Sequence, residues 1–434
     1  MLFRSAVPPP ALRYAPGRIE LVGVVEPKSI SGAETGVPVA FVSADSTARS
    51  AETKAVGNTP HCQYRIVAVR ADGAVGAHRL GFDASKREYS LECDAFGGGS
   101  GSSRRAPASP FAADAVKALS PKSFATLAGG RVLVSCGHWD HGVRAAATED
   151  GRELQIATGH RDLVTCLATA ALGAGAVRRP WAKRRFDESL GLDALAGAEA
   201  ESASALVVSG SRDTTLCVWE VSPPPGGWGL ALSRSGSAKQ LSFARGGGLG
   251  ERPKRTLFGH DDAVTCAAVS AELDLVASGG ADGAVLLHAL RAGRFLRAVR
   301  RGMGIGGERT SGGVPSWVAL LEGKIGTARV LVYCADALSL NSFGVNAMSA
   351  DAPALAVASL AERANALCVT PDERFLALAQ EKGSVAVRST HDLSPWARLE
   401  GPGPAVTAIR VAADDVFVGG LRDGRIAVWA PARS

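Results

Sequence analysis

Two stretches of the chain, 100 residues apart, nearly repeat each other: GHRDLVTC from Gly159 to Cys166 and GHDDAVTC from Gly259 to Cys266. Self-similarity constrains a fold strongly, because each copy must be one structural unit that buries its apolar face against a neighbour. Each copy is a Gly-His turn feeding a short β-rich run. A second apolar run follows and ends in a small-residue turn with Asp: ALVVSGSRDTTLCVWE, Ala205 to Glu220, and LVASGGADGAVLLHAL, Leu275 to Leu290. The chain reads as a stack of similar β units.

The Asp of the turn and the residue six positions on serve as a ruler. Asp213 pairs with Trp219, Asp282 with His288 and Asp423 with Trp429, and the same spacing joins Asp72 to His78, Asp140 to Ala146 and a degenerate Lys382 to Arg388. Asp72, Asp282, Lys382 and Asp423 are each followed by Gly. An Asp-Gly between alternating apolar runs marks a two-residue hairpin, whose central residues must tolerate positive φ. Six units register in this way. A seventh is placed at Arg329 to Phe343, because the interval from 282 to 382 is too long for one unit of about 40 to 45 residues.

About seven four-stranded units close into an all-β propeller, a ring that leaves only short edges. Residues 1–35 are then an N-terminal connector and 36–434 the ring, with insertions at about 95–113, 172–204, 222–254 and 300–313. The low-complexity stretches among them have the Gly, Ser and Pro content of linkers. RIELVGVV, Arg18 to Val25, is either a stray strand or the piece that closes the ring.

With 46% apolar and 21% charged residues, the chain is globular rather than disordered. The net charge of +6 permits acidic partners, but the basic residues are mostly scattered, so no nucleic-acid footprint is expected. Eight cysteines include no Cys-x-x-Cys pair, so neither a zinc site nor any other cofactor is expected. Cys166, Cys217 and Cys266 fall at strand positions, where a free thiol behaves as a small buried hydrophobe, and a reducing cytosol fits. No apolar run reaches the roughly 18 residues of a membrane span, and MLFRSAVPPP breaks into prolines before a signal peptide could form. The expectation is a soluble chain, either a stand-alone unit or one that lacks an upstream part.

One unit supplies His160, Ser209, Asp213 and Trp219, and the next repeats three of them as His260, Ser278 and Asp282. A His that packs under its unit can donate to the Asp and meet the Ser hydroxyl, which in turn reaches the Trp indole. Such a network is stable when every member is satisfied. A Ser, a His and an Asp also invite a hydrolase reading, yet a nucleophilic serine sits on an exposed elbow. Ser209 lies inside a strand-forming run, and duplication speaks for architecture, so no catalytic residue is assigned. Asp140, Asp423 and Trp429 join the same structural set through the ruler.

GHWDHG, Gly137 to Gly142, looks like a metal-binding run, but the ruler puts Asp140 in a hairpin turn. GMGIGG, Gly302 to Gly307, resembles a phosphate loop in composition only, since no helix-forming segment follows. The most basic cluster is RRPWAKRRF, with Arg178, Arg179, Lys183, Arg184 and Arg185 around Trp181. It is a candidate contact for an acidic partner or anionic lipid, as are Arg300 and Arg301, which resemble the paired arginines of phosphoinositide-binding propellers.

VLVSCGHWDHGVR (132–144), TGHRDLVTCLA (158–168), VVSGSRDTTLCVW (207–219) and GHDDAVTCAAVSAELDLVASG (259–279) together resemble WD-repeat proteins. The match is closer to the C-terminal propeller of BEACH-domain, neurobeachin-like proteins. EKGSVAVR (381–388) and GLRDGRIAVW (420–429) continue the pattern. The resemblance implies a propeller linked to, or acting with, a BEACH domain in scaffolds of vesicle and membrane-protein trafficking. The expected function is a non-catalytic platform that binds proteins, cytoplasmic and peripheral on endomembranes, with phosphoinositide binding and propeller enzyme as the alternatives.

Overall fold

The structure, a computed structural model, describes residues 19–25, 38–46, 63–71, 73, 75–83, 88–94, 120–148, 153–172, 204–223, 248–299, 313–322, 327–334, 337–344, 355–412 and 416–431. These build seven antiparallel sheets in chain order. Blade 1 runs from Val39 to Asp94, blade 2 from Phe124 to Ala157, blade 3 from Val164 to Leu257 and blade 4 from Val264 to Val299. Blade 5 spans Pro315 to Ser359 and blade 6 Ala364 to Leu399. Blade 7 takes three strands from Val406 to Pro431, and Ile19–Val25 pairs with Ile426–Pro431 as its fourth. The expected connector thus contributes a strand to the last sheet.

The ruler holds as register. Ile66 lies opposite His78, Leu133 opposite Ala146, Val207 opposite Trp219, Val276 opposite His288, Leu376 opposite Arg388 and Phe417 opposite Trp429. Asp72 lies outside the described residues. Position +1 after the turn Asp or Lys is left-handed in every described copy: φ is 79° at Gly283, 81° at Gly383 and 89° at Gly424, and blade 3 puts Thr214 there at 69°.

Second strands such as Leu275–Gly280 and Phe417–Leu421 are buried at every residue, whereas the outer strand Phe295–Val299 is not buried at any. A central strand covered on both faces therefore reads as a continuous apolar or small-residue run rather than an alternating one. Seven apolar clusters each join two neighbouring blades, so the core lies between the sheets. The approach is close: a Cβ on Gly210, Gly279 or Gly420 would stand 2.4–2.6 Å from Val264, Pro315 or Val39 of the next blade.

Polar ties follow two patterns. In blades 3, 4 and 7 the first strand carries a bulge, and the bulged Thr165, Thr265 or Thr407 points its hydroxyl at the next blade's first strand: Val264 O at 2.5 Å, Pro315 O at 2.5 Å and Val39 O at 2.6 Å. Asn365 does the same from blade 6, donating to Val406 O at 2.9 Å. The corresponding residue of blade 1 is Ala40, the first pair of blade 2 carries no bulge and has Lys122 at that place, donating to Thr265 O of blade 4 at 2.9 Å, and Ser316 of blade 5 turns to Tyr333 O in its own sheet. These three junctions are tied elsewhere. Arg65 reaches Thr148 at 3.1 Å, Gln155 pairs with the Leu249 backbone through both amide atoms, and Arg329 donates to Thr390 O at 3.1 Å.

Antiparallel order puts the turns between second and third strands, and the connections between blades, on one face of the ring; this is called the upper face. The 172–204 and 222–254 insertions leave from the opposite, lower face. Their roots are neighbours: Leu172 pairs with Ser204, and Ser222 with Gly248. Gly248–Leu249 and Arg255–Leu257 share the fourth-strand place of blade 3, so the insertion returns to the sheet before residue 254. Residues 95–119, 173–203, 224–247 and 300–312 lie outside the described residues.

Candidate functional site

In blade 3 the four recurring residues form one chain of hydrogen bonds. The Trp219 indole donates to Ser209 Oγ at 2.8 Å, Ser209 Oγ lies 2.8 Å from His160 Nε2, and His160 Nδ1 lies 3.0 Å from Asp213 Oδ2. One tautomer satisfies all of them: Ser209 donates to Nε2, and Nδ1–H donates to the carboxylate. Asp213 Oδ2 also accepts the Arg161 amide, and Oδ1 accepts the amide and hydroxyl of Thr215. Burial pushes the Asp213 carboxyl up, but these hydrogen bonds and the nearby His160 outweigh it and hold the group below its ordinary pKa. Ser209 and Trp219 are fully buried.

Blade 4 repeats the strut without its tryptophan. His260 lies 2.9 Å from both Asp282 Oδ2 and Ser278 Oγ, while His288, in the Trp position, turns away and donates Nε2–H to Phe258 O at 2.9 Å. Burial lowers the His288 pKa; the bond to Phe258 opposes this and His260 adds to it. The Asp282 carboxyl is pushed up by burial and brought below its ordinary value by Ala284, His260 and Asp261.

The structure does not bring Asp140, Asp423 and Trp429 into such a network. Blade 7 has Gly419 where blade 3 has Ser209, and a Cβ there would stand 2.8 Å from the Trp429 ring, so the indole donates to Glu400 O instead. Asp423 binds Arg425, and Asp140 binds Arg144 at 2.7 Å. What the four described ruler aspartates share is an Oδ1 that accepts the amide two residues on, in Gly142, Thr215, Ala284 and Arg425. This closes the turn.

Blade 2 holds a strut that the spacing missed. Ser135 Oγ meets His138 Nε2 at 2.9 Å, so the histidine comes from the hairpin turn itself rather than from the connection between blades. His138 is fully buried, Trp139 is 54% exposed and Asp140 bonds Arg144, so these three of the four side chains of GHWDHG diverge. Among the described residues no three His, Cys, Asp or Glu side chains converge on a common point. Arg178, Arg179, Trp181, Lys183, Arg184, Arg185, Arg300, Arg301 and Gly302 to Gly307 lie outside the described residues.

Cys136, Cys166, Cys217, Cys266, Cys334 and Cys368 are free and buried. Burial raises the Cys217 and Cys266 thiols to about 12, well away from reactive thiolates.

The comparisons agree with this architecture. The crystal structure of the WD40 beta propeller domain of Doa1 superposes with a TM-score of 0.50 over 95% of this chain and 97% of that one, at 13% identity, which speaks for the fold alone. BEACH domain-containing protein B of Arabidopsis thaliana is 28% identical over 69% of this chain, and a putative neurobeachin homolog of Caenorhabditis elegans 25% identical over 71%. The aligned region spans 9% and 10% of those two relatives. The family model described as the neurobeachin beta propeller domain matches residues 192–433, more than half of the chain. The chain belongs to the neurobeachin beta propeller domain family.

Proposed function

We propose that the chain is a non-catalytic platform for protein assembly, working as part of or beside a BEACH-domain scaffold in vesicle and membrane-protein trafficking, in the cytoplasm and peripherally on endomembranes. The observation that carries this reading is the state of the Ser-His-Asp groups. Ser209 is fully buried and its oxygen already accepts the Trp219 indole, while Ser278 is equally buried one blade on. A nucleophile needs an open oxygen beside an oxyanion hole. These serines instead brace their sheets, which leaves loops and rim on a rigid ring as the working surface. The trafficking context rests on the BEACH-domain and neurobeachin names of the relatives.

Affinity capture with cross-linking mass spectrometry tests the reading. The folded chain should retain trafficking proteins and a BEACH-domain protein, with cross-links on loops and rim. Capture no better than that of a heat-denatured control would end it. So would a hydrolytic activity abolished by Ser209→Ala.

A second reading, recruitment to anionic lipid, is favoured by the aromatic-basic run from Arg178 to Arg185 and by Arg300 and Arg301. Each basic residue near an anionic surface contributes about 1 kcal/mol. Flotation with phosphoinositide liposomes that is lost when these arginines are replaced supports it, and no flotation removes it.

A further inference from the structure

The outer wall where blades 3 and 4 meet brings together aromatic side chains and cations from two distant segments. The stretch Arg252–Gly259 ends blade 3, and it lies against the last hairpin of blade 4. His288 donates to Phe258 O, its ring stands 5.7 Å from that of Phe295 in an edge-on arrangement, and a Cβ on Gly293 would meet the Arg255 side chain at 3.0 Å. Phe258 is 66% exposed, more than any other large apolar residue described, and Phe295 is 53% exposed.

Three of the cations beside them have no ion-pair partner among the described residues. Lys254 is paired with Glu220, and Arg291 lies 3.9 Å from Asp274. Arg252, Arg255 and Arg294 are exposed and, among the described residues, have no ion-pair partner; the exposed acids nearest in sequence are Glu251, Asp261 and Asp262, and Asp262 Oδ1 is taken up by the Ala263 amide. Outer strands elsewhere balance their charges: Glu153 of blade 2 pairs with Arg144, and Arg398 of blade 6 with Glu400. Phe295–Val299 is also the end strand of its sheet, so one row of its backbone amides and carbonyls faces outward with no strand beside it among the described residues.

We infer that this wall is a docking site for an extended, acidic segment of a partner protein, which adds as a strand beside Phe295–Val299. The added strand satisfies the open backbone row, its carboxylates meet Arg255 and Arg294, and its apolar side chains cover Phe258 and Phe295. An anionic bilayer matches the charge and the rings but offers no backbone to the sheet edge, so the geometry favours a peptide. The inference rests on the platform reading and gives it one location and one partner chemistry.

The test uses the full chain and fluorescence anisotropy with short peptides alternating Glu with Val or Phe, against the same peptides carrying Gln or Lys in place of Glu. Phosphatidylserine vesicles are the parallel probe. Glu peptides should bind at least about tenfold more tightly than Gln peptides. Arg255→Glu with Arg294→Glu should remove that preference with the melting temperature unchanged, because both sites are exposed, and Phe295→Ser should weaken binding to Glu and Gln peptides alike. Added salt must weaken binding to the unaltered chain, a check that needs no variant to fold. Equal binding of Glu and Gln peptides, salt-insensitive binding, or vesicle capture with no peptide binding overturns the proposal. If the doubly reversed chain captures its protein partners at the unaltered level, this site is wrong and the platform stands; if neither chain captures any, the platform itself falls.

Discussion

Asp213 does two things with two oxygens: Oδ1 closes the hairpin on Thr215, and Oδ2 holds His160 and the Arg161 amide. Asp213→Ala strands the buried His donor and should cost about 1 to 3 kcal/mol, read as a lower melting temperature; an unchanged transition would contradict the strut. Its neighbour Thr214 is β-branched at φ 69°, where blades 4, 6 and 7 use glycine. Thr214→Gly should therefore leave stability level or raise it by up to about 1 kcal/mol in denaturant titrations. His288 sets a pH dependence. Its folded pKa lies below the ordinary imidazole value of about 6.5, so its stabilising contribution is present above that pH and fades as pH falls through the folded value. Melting temperature should drop from about pH 7 to about pH 5, and drop less in His288→Trp. The depressed Asp213 and Asp282 act lower, where stability present above about pH 4 is lost on further acidification. At this scale the sequence showed the struts of blades 3 and 4, because a turn Asp and a Gly-His sit at repeated spacing. His138 escaped because a His three residues after its Ser resembles no repeat, and Trp429 misled because nothing local reveals where its indole points.

Between elements, the ties between blades were the illegible part. Thr165, Thr265 and Thr407 look like ordinary strand residues, and only the bulge turns their hydroxyls toward the neighbour. The repeated VTC of the opening echo was visible, its mechanical meaning was not. The two tie patterns divide the seven junctions: four have a bulge residue reaching across, and three have Arg65, Gln155 or Arg329. Thr165→Val keeps the shape and removes one tie, so a loss of about 1 kcal/mol is expected from denaturant titration. Gln155→Ala should act more locally, raising amide exchange at Leu249, whose N–H it accepts at 2.8 Å. Exchange at Leu249 unchanged by Gln155→Ala would show that the clamp does not hold the insertion's return point.

At the scale of the molecule, seven repeats were readable because turn chemistry punctuates them, even though long insertions stretch the spacing. Closure was ambiguous, since RIELVGVV carries no mark of its partner; pairing with Ile426–Pro431 depends on 400 residues of intervening geometry. A chain lacking residues 1–25 should expose that edge, lower the melting temperature and aggregate on concentration, by light scattering. The six cysteines described as buried, Cys136, Cys166, Cys217, Cys266, Cys334 and Cys368, should resist maleimide until global unfolding, read site by site by mass spectrometry. Labelling that precedes the main transition would reveal a blade that opens alone.

The closing strand also sets an order in time. Ile19–Val25 leaves the ribosome before any other described strand, yet Ile426–Pro431, the segment that receives it, is made 400 residues later. At about 5 to 20 residues per second, synthesis of the interval takes roughly 20 to 80 s. Throughout that wait the strand is sticky and unmatched, with Leu21 and Val22 remaining 40% and 38% exposed even in the finished ring. Folding of the ring is therefore finished by its earliest-made strand, and a chaperone that shields Ile19–Val25 would govern yield more than one acting on any later blade.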